Sequence, residues 1–324
     1  MAARDADSGR RRAMRPQTDV TVVVVTHDNE RIIERCLVAV REAIRRYVYE
    51  VIVVDNGSSD ATVTRARSQP GVEVVELKRN TGFAAANNVG IRRAEGRYVA
   101  LVNSDAFPRP GAIDRLVERA EADPSIGLVG GRLWEPSGRL QASAGRFPSL
   151  LGNLWLALFA HRLPLLSRVG VAIYTHPRFY RHPRPVDWVS GAFCLARREV
   201  GPLPEDAFMF GEDVEWAHAV RRAGLEVWLE PSASALHLTG ATVDAAQAPG
   251  FREASRAEFE LRWFARRGSV FVLSARAVLG IHALVRLVLY LGLLPFRRGA
   301  SERKLRGFAE LLRYAVSGRS GSGG

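Results

Sequence analysis

Between Val20 and Asn103, short apolar runs alternate with segments in which apolar residues recur every three or four positions. The runs are rich in β-branched residues and read VTVVVV, EVIVVD, VEVVEL and RYVALVN. The segments between them include ERIIERCLVAVREAIRR, ATVTRARS and FAAANNVGIRRA. Apolar strands separated by amphipathic helices are typical of βαβ units, in which helices cover both faces of a parallel sheet. The pattern therefore predicts an α/β fold with a mostly parallel sheet.

The pattern becomes less regular beyond Gly111. It predicts a helix in AIDRLVERAEA and a strand in IGLVGGRLW, whereas the stretch that continues through Pro185 predicts no defined element. Order returns with a predicted strand in VDWVSGAFCLARR, a helix in DVEWAHAVRRAG and a strand in EVWLEP. From about Ala254 onward the pattern is helical.

Residues 269–296 form the most apolar stretch of the chain, and Arg276, His282 and Arg286 interrupt it. A membrane span needs roughly 20 mostly apolar residues, and an arginine near the centre of a span is costly. The interruptions therefore favour helices that lie in the membrane interface, with a true transmembrane segment as the alternative.

The distribution of charge points to the same surface. The formal net charge is +12, and residues 252–319 contain fourteen Arg or Lys residues against five Asp or Glu. A basic segment interleaved with long aliphatic runs suits an anionic membrane surface. The sequence has no helix-turn-helix, zinc-finger or RNA-binding signature, so it predicts no nucleic-acid partner.

Cysteine usage and the N-terminal composition predict a cytoplasmic protein. Cys36 and Cys194 have neither the spacing of a zinc site nor that of a disulfide framework, so both are expected to be buried and reduced. Residues 1–19 are polar and lack an apolar core segment, which predicts a flexible basic leader and not a secretory signal.

Polar side chains follow each predicted strand of the first half. In open α/β sheets, ligands bind where the carboxyl ends of the strands meet the following loops. The residues at those positions are Thr26, His27, Asp28 and Asn29, then residues 55–60, then residues 78–82, then Ser104 and Asp105. Asp55 stands at a strand end, where a carboxylate accepts hydrogen bonds from a ribose or a base. Ser58, Ser59 and Asp60 are explained equally well as helix caps.

LVNSDA ends a strand with Asn103 and Asp105 separated by one residue. On an extended backbone their side chains point the same way, and two oxygen donors suit a hard divalent cation that keeps water and diphosphate ligands. A simple turn is the alternative interpretation. His237 fits either a packed histidine or a partner of Asp105 in a metal site.

FMFGEDVEW places Glu212 and Asp213 directly after three apolar residues and a glycine. Carboxylates in the first turn of a helix favour its dipole and need no catalytic role. An apolar wall, however, raises the pKa of a carboxyl toward the range useful for proton abstraction. Trp188, beside SGAF, is either a core aromatic or a residue that stacks on a sugar.

Taken in order, seven segments resemble inverting family 2 glycosyltransferases with the GT-A fold. The similarity is greatest to bacterial rhamnosyltransferase-type members that extend lipid-linked glycans, and it covers residues from about Val20 to Gly240. The segments are VVVVTHDNE, VIVVDNGSSD, NTGFAAANNVGI, LVNSDA, SGAFCLARR, GEDVEW and ASALHLTG.

The resemblance implies a nucleotide-sugar donor, best dTDP-rhamnose, a Mg²⁺ or Mn²⁺ ion at the diphosphate, and single-step displacement at the anomeric carbon. It implies Asp213 as the base, Glu212 as its support or as an acceptor ligand, and Asp105 with His237 at the metal. The remaining implied contacts are, for the donor, Thr26, Asp28, Asp55, Asn80, Gly82, Asn103 and Ser104, and for the acceptor, Trp188, Ser190 and Gly191.

The resemblance also implies a division of the chain and a location. A GT-A domain is expected at residues 20–250, with the donor half at about 20–110 and the acceptor half at 111–250. Amphipathic helices follow at 251–316 and a flexible tail at 317–324. The implied acceptor is a lipid-linked glycan, which the enzyme meets as a peripheral protein on the cytoplasmic face of the plasma membrane.

The chain departs from the family pattern at two positions. Asn103 stands where the fuller metal motif begins with aspartate, which weakens the expected charge of the metal site. Phe259 stands at the glutamine position of the Q-x-x-R-W signature that Arg262 and Trp263 would complete, so a processive polymerase is not expected.

Two other functions fit parts of the sequence. A nucleotidyltransferase shares the sheet, the metal and the acidic loops, but THDNERI after the first strand lacks the expected phosphate-binding glycines. A membrane-associated scaffold with an inactive GT-A domain would explain Asn103 and the basic C-terminal helices.

Overall fold

The fold is a mixed α/β sheet with a helical C-terminal extension, in a computed structural model that describes residues 18–206, 210–238, 251–294 and 298–317. The strands are β1 Val20–Thr26, β2 Tyr49–Asp55, β3 Val72–Glu76, β4 Tyr98–Asn103, β5 Ala106–Pro108, β6 Ile126–Trp134, β7 Leu140–Gln141, β8 Ala144–Gly145, β9 Arg184–Pro185, β10 Trp188–Val189, β11 Phe193–Arg197 and β12 Glu226–His237. The helices are α1 Ile33–Ala43, α2 Thr62–Arg67, α3 Phe83–Arg93, α4 Ala112–Ala122, α5 Leu150–Ala157, α6 Glu212–Arg222, α7 Phe251–Ala265, α8 Ser269–Leu293 and α9 Arg298–Ser317.

The main sheet has the strand order β3-β2-β1-β4-β11-β6-β12-β5. Strands β1 to β4 are parallel, as the alternation of apolar runs and helices predicts. Strand β11 is antiparallel to both β4 and β6, and β12 runs parallel to β6. The α/β prediction is therefore confirmed, with a parallel first half and a mixed second half.

Two hydrophobic layers hold the sheet between helices. Val22 and Val24 of β1 face one layer, and Val23 of the same strand faces the other, because successive side chains of a strand alternate between the faces. Gly90 lets α3 pack closely on β1, since a Cβ there would lie 2.4 Å from a methyl carbon of Val23. Buried β-branched residues on both faces explain why these strands are continuous apolar runs.

The structure divides the predicted strand VDWVSGAFCLARR into two. Strand β10 pairs with β8 in a separate two-stranded ribbon, whereas β11 enters the main sheet between β4 and β6. Residues 190–192 connect the two strands and cross from one sheet to the other. The unassigned stretch before them forms α5, short 3-10 helices and the two-residue strands β7 to β9.

The apolar stretch after residue 268 is one continuous helix, α8, and not several interfacial pieces. The two arginines that interrupt the apolar sequence of α8 donate hydrogen bonds to backbone carbonyls. Arg276 Nε donates to Ala315 O at 2.8 Å, and Arg286 donates to Ala157 O at 3.0 Å. Among the described helices, α8 alone is long and apolar enough to cross a membrane, with a mean hydropathy of 1.8 over the most apolar window.

Helix α9 runs antiparallel along α8. Arg276, near the start of α8, bonds near the end of α9, and the rings of Tyr290 and Phe308 stack 5.7 Å apart at the other end. Helix α9 carries Lys304, Glu310 and other charged residues. The apolar helix α8 is therefore packed along a partner helix that carries charge.

Candidate active site

The parallel strands bring the predicted donor residues to one edge of the sheet. Thr26 is the register partner of Asp55 at the carboxyl ends of β1 and β2, and Asn103 ends β4 beside Val25. We call Thr26, Asp28, Asp55, Asn80 and Gly82 the donor rim.

Asp55 and Thr26 are buried and incompletely bonded. Ser58 N–H donates to Asp55 Oδ2 at 3.0 Å, but neither Asp55 Oδ1 nor Thr26 Oγ1 has a hydrogen-bond partner within the part of the chain that the structure describes. Leaving a buried polar oxygen without a partner costs free energy. The two oxygens are therefore suited to a ligand that donates hydrogen bonds.

Hydrogen bonds fasten the loops of the donor rim to one another. Asp28 adopts φ 51°, and its Oδ1 accepts Ser59 N–H at 2.7 Å, so the loop after β1 is tied to the loop after β2. Asn29 Nδ2 donates to Ser104 Oγ at 3.1 Å, which ties the first loop to the one after β4. Predicted donor residues from three loops thus belong to one bonded network.

Asn56, which the sequence reasoning did not single out, connects the remaining loop. Its Nδ2 donates to Asn80 Oδ1 at 2.9 Å, and its Oδ1 accepts Thr81 N–H at 2.8 Å. The Asn80 oxygen also accepts Gly82 N–H at 3.0 Å. Gly57 allows this approach, because a Cβ there would lie 2.8 Å from backbone atoms of Arg79. The sequence feature that could have pointed to Asn56 is its amide side chain directly after Asp55, at the end of β2.

Asp105 and His237 lie together, as a shared metal site requires. Pairing of β5 with β12 sets Ala106 opposite His237, and Asp105 Oδ1 lies 3.1 Å from His237 Nε2. Both residues are buried. His237 Nδ1 lies 3.0 Å from Gln141 Oε1, a contact that fixes the ring and was not foreseen from sequence.

The spacing of this pair fits a divalent cation. Two ligands at right angles, each about 2.1 Å from an octahedral ion, are separated by about 3 Å. Within the described ranges no group of three or more His, Cys, Asp or Glu side chains is placed to hold a metal. A cation here would therefore take its other ligands from water and a substrate, as Mg²⁺ commonly does.

One sequence argument for this site is wrong in its geometry. Ser104 and Asp105 form a turn directly after β4, so the extended alternation that would align Asn103 with Asp105 does not continue. Asp105 faces His237 because the chain turns into β5. Asn103 instead donates its backbone N–H to Ala192 O at 3.0 Å.

The two adjacent carboxylates open α6, directly after Gly211. That glycine has φ 93°, and a Cβ there would lie 2.2 Å from the ring of Phe259. Helix α7 thus packs on the turn that presents Glu212 and Asp213. Phe208 and Met209, two of the three residues of the predicted apolar wall, lie outside the described residues.

Burial changes the acidity of both carboxyls. Desolvation raises the pKa of Glu212 to about 8, and the neighbouring charge of Asp213 acts in the same direction. Desolvation also raises the pKa of Asp213, to about 6, while backbone N–H groups of Val214 and Gly191 oppose the rise by stabilising its carboxylate. Near neutral pH, the adjacent pair therefore carries about one negative charge.

The acceptor residues predicted from sequence border Asp213 through Gly191. A Cβ on Gly191 would lie 3.2 Å from the Phe83 ring and 3.8 Å from Asp213 Cβ, so this glycine separates the two side chains. Ser190 N–H donates to Ser143 O at 2.8 Å, and Trp188 Nε1 donates to Arg146 O at 3.0 Å. Trp188 is half-buried and packs against the apolar side chains beneath α6 and α7.

One connecting segment joins the donor and acceptor sides. Ala192 O accepts the backbone N–H of Asn103 at the end of β4, and the preceding residue, Gly191, contacts Asp213. Gly191 and Ala192 therefore connect Asp213, the predicted base, to the end of β4, which leads to Asp105. This arrangement combines buried oxygens without a hydrogen-bond partner in the described ranges, a carboxylate beside an imidazole and a carboxylate with raised pKa.

Comparisons with known proteins agree with this arrangement. The chain is 32% identical over 238 residues to N-acetylglucosaminyl-diphospho-decaprenol L-rhamnosyltransferase of Mycobacterium tuberculosis, covering 68% of this chain and 76% of the relative. It is 35% identical over 119 residues to dodecaprenyl-phosphate galacturonate synthase of Rhizobium johnstonii, covering 34% of this chain and 35% of the relative.

The fold and the family follow from two further matches. A mannosyltransferase of Pyrobaculum calidifontis, solved with GDP-Man and Mn²⁺, superimposes with a TM-score of 0.54 at 19% identity, covering 93% of this chain and 86% of that one. Residues 21–182, half of the chain, match the model of Glycosyl transferase family 2. The chain belongs to glycosyltransferase family 2, and it is a glycosyltransferase with a GT-A-like fold.

Proposed function

We propose that this enzyme transfers a hexosyl residue, with dTDP-rhamnose as the first donor to test, to a hydroxyl of a lipid-linked glycan with inversion at the anomeric carbon. The observation that carries the proposal is Asp213, a carboxylate with raised pKa held beside Gly191 on the segment that also contacts the end of β4. Similarity to the mycobacterial rhamnosyltransferase supports the sugar and the acceptor.

Asp213 is the proposed general base. A base must be ionised at working pH and must gain proton affinity from its surroundings, and a pKa near 6 satisfies both conditions. It takes the proton of the acceptor hydroxyl as that oxygen attacks the anomeric carbon. Glu212, with its pKa raised to about 8, stays largely protonated and adds no second negative charge.

The donor rim is proposed to hold the nucleoside. Asp55 Oδ1 and Thr26 Oγ1 can accept hydrogen bonds from a ribose hydroxyl or a base N–H. Asn80 and Gly82 line the same side, and Asn103 and Ser104 stand next to the diphosphate. Asp28 is already bonded to Ser59, so its role is to keep the loop in place.

Asp105 and His237 are proposed to bind Mg²⁺ or Mn²⁺. A divalent cation neutralises charge that develops on a leaving nucleoside diphosphate. The pair offers one carboxylate oxygen and one imidazole nitrogen, and Asn103 adds no charge. Because Asn103 is neutral, the site should bind a divalent cation less tightly than a motif with two aspartates would.

The C-terminal helices are proposed to hold the enzyme peripherally on the cytoplasmic face of the plasma membrane. The outer face of α8 exposes large apolar side chains, including Val270, Leu273 and Val288. The surrounding chain is basic, which favours an anionic surface. This placement would present a membrane-held acceptor to Asp213.

A panel of nucleotide sugars tests the proposal. Purified protein is screened by thermal shift with and without Mn²⁺ or Mg²⁺, because a ligand that binds the native state raises the Tm. The best donor is then incubated with a prenyl-diphosphate-linked N-acetylglucosamine, and the anomeric configuration of the product is read by NMR. Retention of configuration, or transfer without any nucleotide sugar, would contradict the proposal.

A further inference from the structure

Basic side chains gather where α5, α7 and α8 meet, away from the donor rim. We call Arg162, Arg256, Arg286, His161 and His282 the basic cluster. Arg162 and His161 follow α5, Arg256 belongs to α7, and Arg286 and His282 belong to α8. The proposed mechanism uses none of these residues.

Arg286 anchors the cluster from a buried position. Its guanidinium donates to Ala157 O at 3.0 Å and Leu156 O at 3.1 Å, and it lies over the ring of Phe159 at 4.2 Å. These contacts cap the carboxyl end of α5, where a cation is favourable. The carbonyls are neutral, however, so the positive charge itself is not balanced by them.

Phe159 brings a second guanidinium to the same place. Arg162 lies over its ring at 4.8 Å, so two cations share one aromatic side chain. Phe159 adopts φ 57°, a conformation that costs free energy for a residue with a side chain. Phe159 thus contacts two like-charged side chains from a backbone conformation that itself costs free energy.

Charge in the basic cluster is only partly balanced by protein groups. Glu260 pairs with Arg256 at 2.9 Å, but no carboxylate in the described ranges forms an ion pair with Arg162 or Arg286. Burial first, and then the charges of Arg256 and Arg162, lower the pKa of Arg286 to about 10. Within the same ranges, His161 Nδ1 is buried without a hydrogen-bond partner. A bound anion would relieve this repulsion.

Exposed apolar side chains stand on either side of Arg162 in the chain. Leu158, which precedes Phe159, is 54% exposed, and Leu165 is 76% exposed. Exposed apolar surface of this extent marks an interaction site, and next to uncompensated arginines it suits an anion attached to a hydrocarbon chain.

Helix α7 connects the basic cluster to the catalytic residues. Phe259 of α7 packs on Gly211, which precedes Glu212 and Asp213. Arg256 stands three residues before Phe259, about 4.5 Å along the helix axis. A group bound by Arg256 is therefore held by the helix that packs on the turn before Asp213.

We propose that the basic cluster binds the diphosphate of the lipid-linked acceptor, while the apolar side chains around it take the first prenyl units. This inference rests on the proposed function, because it assigns the acceptor to that site. Arginine forks bind phosphate oxygens in pairs. Arg162 supplies an exposed guanidinium, and Arg256 supplies a half-exposed one whose Nε donates to Glu260.

Direct binding of farnesyl diphosphate to the full chain tests the inference without any glycosyl transfer. Isothermal titration is run with EDTA and saturating dTDP, so that neither a metal nor a free donor site contributes. We expect R162Q/R256Q to weaken farnesyl diphosphate binding by about 10-fold or more, since charge-assisted hydrogen bonds are lost. R168Q, which removes an exposed arginine from the same stretch, is the matched control and keeps the wild-type Kd.

The single variant R162Q, which changes an exposed side chain, keeps the test open if the double variant does not fold. It is expected to weaken binding in the same direction. The inference is overturned if R162Q/R256Q folds and binds farnesyl diphosphate like wild type, or if farnesol binds as tightly as farnesyl diphosphate. It is also overturned if R162Q/R256Q no longer binds phosphatidylglycerol vesicles but still binds farnesyl diphosphate, because the cluster then contacts bilayer headgroups.

Acceptor kinetics separate this inference from the proposed function. We expect the KM for the prenyl-diphosphate-linked acceptor to rise at least 10-fold in R162Q/R256Q, with the KM for the nucleotide sugar unchanged. If wild type transfers sugar and farnesyl diphosphate does not bind, only the inference fails. If farnesyl diphosphate binds at the cluster and no transfer occurs, only the proposed function fails.

Discussion

The donor rim and the acceptor side of this enzyme are built in different ways. The donor rim consists of residues at the carboxyl ends of β1 and β2 and in the loops after β1 and β3, and loop-to-loop hydrogen bonds such as the one between Asn56 and Asn80 connect these loops. The acceptor side depends on contacts between distant segments, such as Gly191 with Asp213 and Phe259 with Gly211. Strand order alone therefore assembles the donor rim, whereas the acceptor side requires the whole domain to pack.

The two sides also differ in their electrostatics. The donor rim keeps polar oxygens of Thr26 and Asp55 buried and open to a ligand. On the acceptor side, burial raises the pKa of Glu212 and Asp213 and so limits them to about one negative charge near neutral pH. The comparison predicts that changes on the acceptor side alter the rate of the chemical step, and changes on the donor rim alter donor binding.

The largest effect is expected for Asp213→Asn. An amide cannot take the proton of the acceptor hydroxyl, and general-base catalysis is worth about 10² to 10⁴-fold, so kcat should fall by that factor. Donor KM should stay within a few-fold of wild type. Steady-state kinetics, with circular dichroism to verify the fold, measure both. Near-normal turnover in a folded variant would remove Asp213 from the role of base.

Glu215→Gln is the matched control for that variant. Glu215 lies in the same first turn of α6, but it forms an ion pair with Arg266 and does not contact Gly191. Its replacement should leave kcat within a few-fold of wild type. In the wild-type enzyme, kcat should decline as the pH falls below about 6, because the raised pKa of Asp213 leaves it protonated there.

The sequence predicts the donor side of the fold well for a physical reason. Strands such as β1 are apolar on both faces, and helix α4 was predicted with its observed bounds, because local periodicity determines these elements. Once the strands are parallel, their carboxyl ends must share an edge. The positions of Thr26, Asp55 and Asn103 then follow from the register alone, whereas the turn after β4 places Asp105.

The remaining parts depend on contacts that periodicity does not contain. The division of VDWVSGAFCLARR arises because β10 finds β8 as its partner, far away in sequence. The continuity of α8 through Arg286 requires carbonyls of α5 as acceptors. Asn56 and Gln141 are polar side chains whose importance appears only when their bonding partners are known.

The next largest effect is expected for the pair that joins β5 to β12. Asp105→Asn removes the charged ligand of the proposed cation, and loss of that stabilisation should lower kcat/KM by about 10²-fold. His237→Gln should have a smaller effect in the same direction. Both variants should require more Mn²⁺ for half-maximal thermal stabilisation in the presence of nucleotide. An unchanged Mn²⁺ requirement would contradict the assignment of these residues to the metal.

A smaller effect is expected on the donor rim. Asp55→Asn keeps an oxygen for Ser58 N–H but removes the charge from the unpartnered position, so donor KM should rise about 10-fold. The kcat at saturating donor should change little. Glu76→Gln, at the register neighbour on β3, is the control and should leave donor KM unchanged. A drop in kcat without a change in donor KM would show that Asp55 acts in the chemical step and not in donor binding.

The smallest effect concerns stability and isolates the electrostatics of the acceptor side. The pKa of Glu212 is about 8 in the folded protein against a usual 4.5, so the folded state binds the proton more tightly than the unfolded state does. The contribution of this tighter proton binding to the free energy of unfolding is therefore complete below the usual pKa of 4.5, and it is lost as the pH rises through about 8. Glu212→Gln removes this decline, so its Tm should exceed that of wild type at pH 9 by more than at pH 5. Differential scanning calorimetry at the two pH values measures this, and an equal Tm difference at both would show that Glu212 ionises as readily in the folded enzyme as in the unfolded chain.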